Sequence, residues 1–187
     1  MILGLHYHFE QYKEGKTMQR KYEDINVYEA FQKRLDFIFQ EFDNIYVSFS
    51  CGKDSGLLLH MLMKYKRDNK IPKTIGVFHQ DFEAQYKVTT ECVENIFEQY
   101  INEIEPYWVC LPMAVRTALS NYQIHWYPWN DKQKELWISN LPNKPYLINL
   151  DDNPIYTYRY RMLQEDLAKQ FGRWYKETHD NKKLFAY

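Results

Sequence analysis

The stretch of residues 45–65 constrains the fold of this chain most strongly. Residues 45–50 are β-branched and aromatic and predict a strand, whereas residues 55–65 are leucine-rich and predict a buried helix. The turn between them leaves the first amides of the helix without intrahelical partners, and these amides together with the helix dipole attract anions. The sequence therefore predicts an anion-binding turn between a strand and a helix.

The alternation of strand and helix continues along the chain. Further strands are predicted at residues 74–78 and 107–111, and further helices at residues 26–43, 86–100 and 162–178. Strands and helices that alternate at this spacing need right-handed crossovers, which produce a parallel sheet covered by helices on both faces. The predicted fold class is therefore α/β, with a three-layer α/β/α arrangement.

The length of 187 residues fits one domain. We interpret residues 1–20 as an N-terminal extension, residues 21–187 as the domain, and residues 121–153 as an irregular, aromatic-rich insertion. No apolar run approaches the ~20 residues of a membrane span, so we expect a soluble, cytoplasmic protein without a membrane partner. The insertion carries several large aromatic side chains. Packing or an interface explains them best, and base stacking is the alternative. They are Tyr122, Trp126, Tyr127, Trp129 and Trp137.

Charge and cysteine content narrow the classes of partner. Lys plus Arg total 24 against 25 Asp plus Glu, a net charge of -1, which argues against binding of nucleic acid. The cysteines Cys51, Cys92 and Cys110 are too scattered for a disulfide framework, and we expect no protein-bound metal. Because a helix N-terminus and Lys53 favour the thiolate, Cys51 is predicted to be reactive, whereas Cys110 at a strand end is predicted to be buried and inert.

The turn at residues 48–55 has the groups that a pyrophosphate needs. Gly52 lets the backbone approach a phosphate without a Cβ, Ser50 and Ser55 add hydroxyl donors, and Lys53 adds an ammonium. The turn is not a Walker A loop, because Asp54 stands where that motif requires Ser or Thr. The alternative is that Asp54 or Ser55 only caps a helix and that Gly52 only makes a turn.

The order Ser-x-Gly-Gly-x-Asp-Ser is the PP-loop signature, and residues 48–55 resemble it, with Cys51 in place of the first glycine and Phe49 at the position of the first serine. Residues 76–86 and 105–112 are similar to segments of the phosphoadenosine phosphosulfate reductase-like family, in a group that includes immunoglobulin-binding regulators. The resemblance covers about residues 26–178. It implies an adenine nucleotide alpha hydrolase-like fold with the strand order 3-2-1-4-5.

The resemblance also implies a ligand, ATP or an adenosine phosphosulfate with Mg²⁺. The implied nucleotide-binding residues are Ser48, Ser50, Cys51, Gly52, Lys53, Asp54, Ser55, Val77, His79, Glu83 and Arg116. The implied catalytic residues are Lys53, Asp54 and Asp81. For Asp81 and Glu83 the alternative is a helix N-cap and a first-turn acid that complements the helix dipole.

The resemblance leaves two functions open. One is an adenine-nucleotide-binding protein that cleaves ATP to AMP and pyrophosphate; the other is a non-catalytic regulatory or assembly protein. A self-contained reductase is not expected, because the family's Cys-Gly-x-His segment does not occur near the C-terminus. Residues 183–187 would begin a fourth strand, and half of the crevice would be absent. The chain is then a fragment, or residues 146–150 supply a strand, or a homo-oligomer or partner protein covers the sheet edge.

Overall fold

The computed structural model describes residues 24–180 and 183–186. The expected N-terminal extension at residues 1–20 lies outside the described residues. The helices of the described part are α1 (Val27–Glu41), α2 (Lys53–Asp68), α3 (Lys87–Tyr100) and α4 (Gln164–Thr178). The strands are β1 (Asn44–Ser48), β2 (Ile75–Gln80), β3 (Ile104–Cys110), β4 (Val115–Arg116), β5 (His125–Trp126), β6 (Leu147–Asn149) and β7 (Leu184–Ala186).

The main sheet has five strands in the order β6-β3-β2-β1-β7. Each pairing in it is parallel, with Val47 opposite Val77 and Val77 opposite Pro106 in the registers of β1, β2 and β3. This arrangement confirms the predicted parallel α/β fold. Because the strands are parallel, the turns that follow β1, β2 and β3 meet at one edge of the sheet.

Helices cover both faces of the sheet. On one face, α1, α2 and α3 bury Leu35, Leu59 and Phe97 against β1 and β2. On the other face, α4 buries Phe171 and Tyr175 against aromatic side chains of all three central strands, Tyr46, Phe78 and Tyr107. The stacked rings of Phe78 and Phe171 have their centroids 4.2 Å apart. The three-layer α/β/α arrangement is therefore confirmed.

The two edges of the sheet are formed by short strands. β6 falls within the residues 146–150 that were considered for a strand, and it pairs with β3, on the side away from β1. β7 pairs with β1, with Asn44 opposite Leu184. The residues predicted to begin a fourth strand therefore lie next to the first strand, as the implied strand order requires.

The region of residues 121–153 is less irregular than predicted. It contains β5, which forms an antiparallel pair with β4, the 3-10 helix Asp131–Leu136, and β6. Among the residues that the structure describes, no helix combines the length and the apolar character needed to cross a membrane.

Candidate functional site

The turn between β1 and α2 lies at the carboxyl end of the sheet and is open to solvent. Five of its residues are exposed, while Cys51 and Ser55 are half-buried. The exposed residues are Ser48, Ser50, Gly52, Lys53 and Asp54. We call residues 48–55 the phosphate loop, because the sequence predicts anion binding there and the structure leaves the backbone accessible.

The phosphate loop is closed by hydrogen bonds between its own serines. The hydroxyls of Ser50 and Ser55 are 3.1 Å apart, and Ser50 Oγ accepts the Gly52 amide at 3.3 Å. Ser55 Oγ donates to the Gly52 carbonyl at 3.1 Å. Gly52 is the N-cap of α2 and no side chain caps that helix, so the alternative of Asp54 or Ser55 as a simple cap is wrong. The first amides of α2 remain available to an anion.

The backbone of Cys51 explains why the PP-loop signature has glycine at this position. Cys51 has φ of 56°, in the left-handed region that favours glycine, whereas Gly52 has an ordinary φ of -72°. A Cβ at Gly52 would lie 3.3 Å from Ser50 Oγ, a tight contact with the neighbouring hydroxyl. Conformational freedom is therefore needed at residue 51, and small size at residue 52.

Cys51 is not the free thiol that the sequence predicted. It forms a disulfide with Cys92 of α3, with a Cα–Cα distance of 6.2 Å. The prediction failed because α3 packs on the same sheet face as α2, which brings two cysteines far apart in sequence into contact. Cys110 is free and buried as predicted, and burial raises the pKa of its thiol well above the ordinary value.

The two strand residues that the resemblance implied for nucleotide binding are buried. Val77 is a core residue of β2, and His79 is only 1% exposed. Burial lowers the pKa of His79, so the imidazole is neutral near pH 7 and its Nδ1 donates to the Phe49 carbonyl at 2.7 Å. His79 therefore holds the start of the phosphate loop in place through the Phe49 carbonyl, and its role in nucleotide binding stays a prediction.

Asp81, at the end of β2, is 4% exposed and its carboxylate is fully engaged. One oxygen accepts the Glu83 amide at 2.7 Å, and the other accepts Trp108 Nε1 at 2.8 Å. Because α3 begins at Lys87 with Tyr86 as its N-cap, the alternative of Asp81 or Glu83 as a cap is wrong. Asp81 holds the turn after β2 in place.

Glu83 connects the turn after β2 to the insertion. Its buried carboxylate accepts the backbone amides of Trp129 at 2.6 Å and Ile138 at 2.9 Å, and its carbonyl accepts Ser139 Oγ at 2.9 Å. Residue 83 itself has φ of 63°. The carboxylates of Asp81 and Glu83 thus lie at the predicted edge of the sheet but organise protein rather than face solvent.

Arg116 is exposed on β4, and among the described residues no hydrogen bond or ion pair joins it to the phosphate loop. A different arginine has aromatic neighbours: the guanidinium of Arg161 lies 4.3 Å from the ring centre of Tyr127 and 5.3 Å from that of Tyr160. The aromatic neighbours of Arg161 were not readable from sequence spacing. Among residues 24–180 and 183–186, no cluster of His, Cys, Asp and Glu could hold a metal ion.

Comparison with known proteins gives a family match that includes the phosphate loop. Residues 44–135 match the family described as phosphoadenosine phosphosulfate reductase domain. The chain is also similar to a protein of Escherichia coli (strain K12) described as uncharacterized protein YbdN, at 32% identity over 154 residues, which is 82% of this chain. The chain spans only 36% of the length of that relative. No solved structure matches the chain.

Proposed function

We propose that this chain binds an adenine nucleotide at the phosphate loop. Its match to the phosphoadenosine phosphosulfate reductase domain supports a PP-loop, reductase-like protein. The observation that carries the proposal is the exposed N-terminus of α2, which no side chain caps and which follows directly on Cys51 in its left-handed conformation. A left-handed residue before a helix directs successive amides into one concavity, and such concavities bind phosphates.

The side chains around this concavity suit ATP or an adenosine phosphosulfate with Mg²⁺. Ser50 and Ser55 would donate hydroxyls to phosphate oxygens, and the exposed ammonium of Lys53 would balance their charge. Asp54 is exposed on the first turn of α2, where a carboxylate can ligate the Mg²⁺ that accompanies the phosphates.

The reaction that we infer is cleavage of ATP between its α- and β-phosphates. An acceptor oxygen attacks the α-phosphorus, the bond to the bridging oxygen breaks, and pyrophosphate leaves with that oxygen. The phosphate loop would hold the leaving group, and its amides and Lys53 would stabilise the charge that develops on pyrophosphate. Mg²⁺, held by Asp54, would supply further charge stabilisation when bound. Reduction of a sulfonucleotide is not proposed, because in the described chain Cys110 is buried and Cys51 is bonded to Cys92.

A binding protein without catalysis is the second candidate. It is favoured by the two acids at the end of β2, since the carboxylates of Asp81 and Glu83 are already occupied by four protein donors. In that case the nucleotide would regulate an assembly. A partner chain or a second copy would then cover an edge of the sheet, where β6 and β7 pair over only three residues each.

Calorimetry with ATP and Mg²⁺ tests the proposal. Gly52→Val should weaken binding by at least about ten-fold, because the added side chain meets Ser50 Oγ and fills the concavity. Asp54→Ala should also weaken it. Asp68→Ala, at the far end of α2, is the matched control and should bind like the wild type.

A pyrophosphate-release assay with ATP separates the two candidates. Release that Asp54→Ala removes supports cleavage, whereas binding without release supports the regulator. Equal affinity for ATP in the wild type, Gly52→Val and Asp54→Ala would show that the phosphate loop is not the nucleotide site.

A further inference from the structure

A cavity of about 190 Å³ lies at the carboxyl ends of β3 and β6, away from the phosphate loop. Cys110 of β3 and Asn149 of β6 line it from the sheet, and Trp129 and Trp137 line it from the insertion. Its remaining lining residues are Asp131, Lys134, Leu141, Leu150 and Asp151. Adjacent strands lie ~4.8 Å apart, so β3 is roughly 10 Å from β1 across the sheet. The cavity and the phosphate loop are therefore separate sites at the same edge of the sheet.

The tryptophan walls of the cavity are fixed by hydrogen bonds. Trp129 is 2% exposed, its amide donates to Glu83, and its Nε1 donates to the Asp81 carbonyl at 2.9 Å. Trp137 Nε1 donates to the Asn130 carbonyl at 3.0 Å. The two rings meet at 86° with centroids 5.2 Å apart, so they form a corner and not a slot for a flat ligand.

Trp129 also has a costly backbone conformation. Its φ is 54°, and a bulky side chain in the left-handed region is a genuine outlier that persists only where the surrounding structure imposes it. Such conformations concentrate at ligand sites. The buried carboxylate of Asp81 accepts the Glu83 amide, and that of Glu83 accepts the Trp129 amide. These two bonds hold the backbone conformation of Trp129 at the cavity wall.

The charges at the cavity favour a cation. Asp131 and Asp151 contribute carboxylates against the one ammonium of Lys134. The Tyr160 hydroxyl donates to Asp131 at 2.5 Å and lowers the pKa of that carboxyl, so it is ionised at neutral pH. The Lys134 ammonium lies 5.6 Å from the ring centre of Trp137, within the distance at which an indole face attracts a cation.

We propose that this cavity binds a small organic cation, with its ammonium between the indole of Trp137 and the carboxylates of Asp131 and Asp151 and its apolar body towards Cys110 and Leu141. An engineered cavity of roughly 150 Å³ binds benzene, so a cavity of about 190 Å³ has room for a ligand with one six-membered ring. The ligand is therefore a primary amine of about that size. Binding does not depend on a nucleotide, because the phosphate loop contributes no lining residue.

Three probes of one shape test the class of ligand. Cyclohexylammonium carries the charge, cyclohexanol replaces the ammonium with a neutral hydroxyl, and cyclohexanecarboxylate reverses the charge. Calorimetry and saturation-transfer NMR on the full chain without nucleotide should show millimolar or tighter binding of cyclohexylammonium. Cyclohexanol should bind at least about five-fold more weakly, since it lacks the cation–π and ionic contacts. Equal binding of cyclohexanol, or no binding of cyclohexylammonium, would overturn the proposal.

Three exposed substitutions locate the site. Asp151→Asn should weaken cyclohexylammonium binding about three- to five-fold, because it removes one partly solvated charge and little volume. Lys134→Met should strengthen it about two- to five-fold, because a competing ammonium leaves the Trp137 ring. Lys169→Met is the matched control: it removes an exposed ammonium of α4 that does not line the cavity, so binding should not change.

These outcomes are independent of the proposed function. Cyclohexylammonium binding that is unaffected by both Asp151→Asn and Lys134→Met would place the amine elsewhere and refute the site. Absence of ATP binding in the wild type would refute the nucleotide proposal without changing cyclohexylammonium binding, so failure of the nucleotide proposal and failure of the cation site give different results.

Discussion

Cys51→Gly should change the stability of this protein in opposite directions under oxidising and reducing conditions. Two contributions oppose each other at residue 51. A non-glycine residue at φ of 56° costs about 1–2 kcal/mol relative to glycine. The disulfide to Cys92 joins residues 41 apart in sequence, and the chain-entropy model assigns a closed loop of that length about 4 kcal/mol.

The two contributions predict a sign reversal. In oxidised protein, Cys51→Gly loses the crosslink and relieves the backbone, so the free energy of unfolding should fall by about 2–3 kcal/mol. In excess dithiothreitol the wild type also lacks the crosslink. The variant should then be the more stable protein, by about 1–2 kcal/mol.

Urea unfolding of the wild type, Cys51→Gly and Cys92→Ser, each with and without dithiothreitol, measures both effects. Cys92→Ser is the matched variant, because it removes the crosslink and leaves the Cys51 side chain in its left-handed conformation. It should match the reduced wild type in both conditions. If dithiothreitol leaves the wild type unchanged, the disulfide assignment is refuted, and if Cys51→Gly is not the more stable reduced protein, the backbone argument is refuted.

Four further changes have defined outcomes. Gly76→Ala should destabilise the fold by about 1–3 kcal/mol in thermal unfolding, because a Cβ there would lie 2.8 Å from the Tyr175 ring. Gly56→Ala, whose Cβ meets nothing within 4 Å, should instead stabilise α2 by up to about 1 kcal/mol. Glu83→Ala should cost about 3 kcal/mol and raise proteolysis within residues 121–153, because two buried amides lose their acceptor; unchanged proteolysis would contradict this. Burial lowers the pKa of His79, so below the ordinary pKa of 6.5 the unfolded state binds a proton that the folded state does not. The free energy of unfolding should therefore be highest above pH 6.5 and fall as the pH decreases below it. In urea unfolding from about pH 8 to about pH 5, His79→Gln should flatten this dependence.

The central part of the fold was predictable from the sequence because it rests on local patterns. The apolar runs at residues 45–50, 74–78 and 107–111 are long enough to be recognised as strands, and β1, β2 and β3 overlap them. The edge strands β6 and β7 have three residues each, too few for a period, and their positions depend on the sheet already formed.

The positions of Asp81 and Glu83 follow from the sequence, but the directions of their side chains do not. Both residues come after the predicted strand at residues 74–78, and the structure has them at the carboxyl edge of the sheet. Their inward direction depends on the indole and amide of Trp129, which is 46 residues from Glu83, and no local pattern records such a partner. The contact between Cys51 and Cys92 was missed for the same reason, since it follows from the packing of α3 beside α2.

The pairing of β1 with β7 has a consequence for synthesis of the chain on the ribosome. β1 emerges early, together with the strands and helices that build the phosphate loop, whereas its neighbour on the other side, Leu184–Ala186, is made much later. At 5–20 residues per second the delay over about 140 residues is roughly seven to thirty seconds. During that time β1 lacks β7, its neighbour on this side among the described strands. Chaperones that recognise open strand edges therefore have their longest opportunity to bind at the edge that borders the phosphate loop.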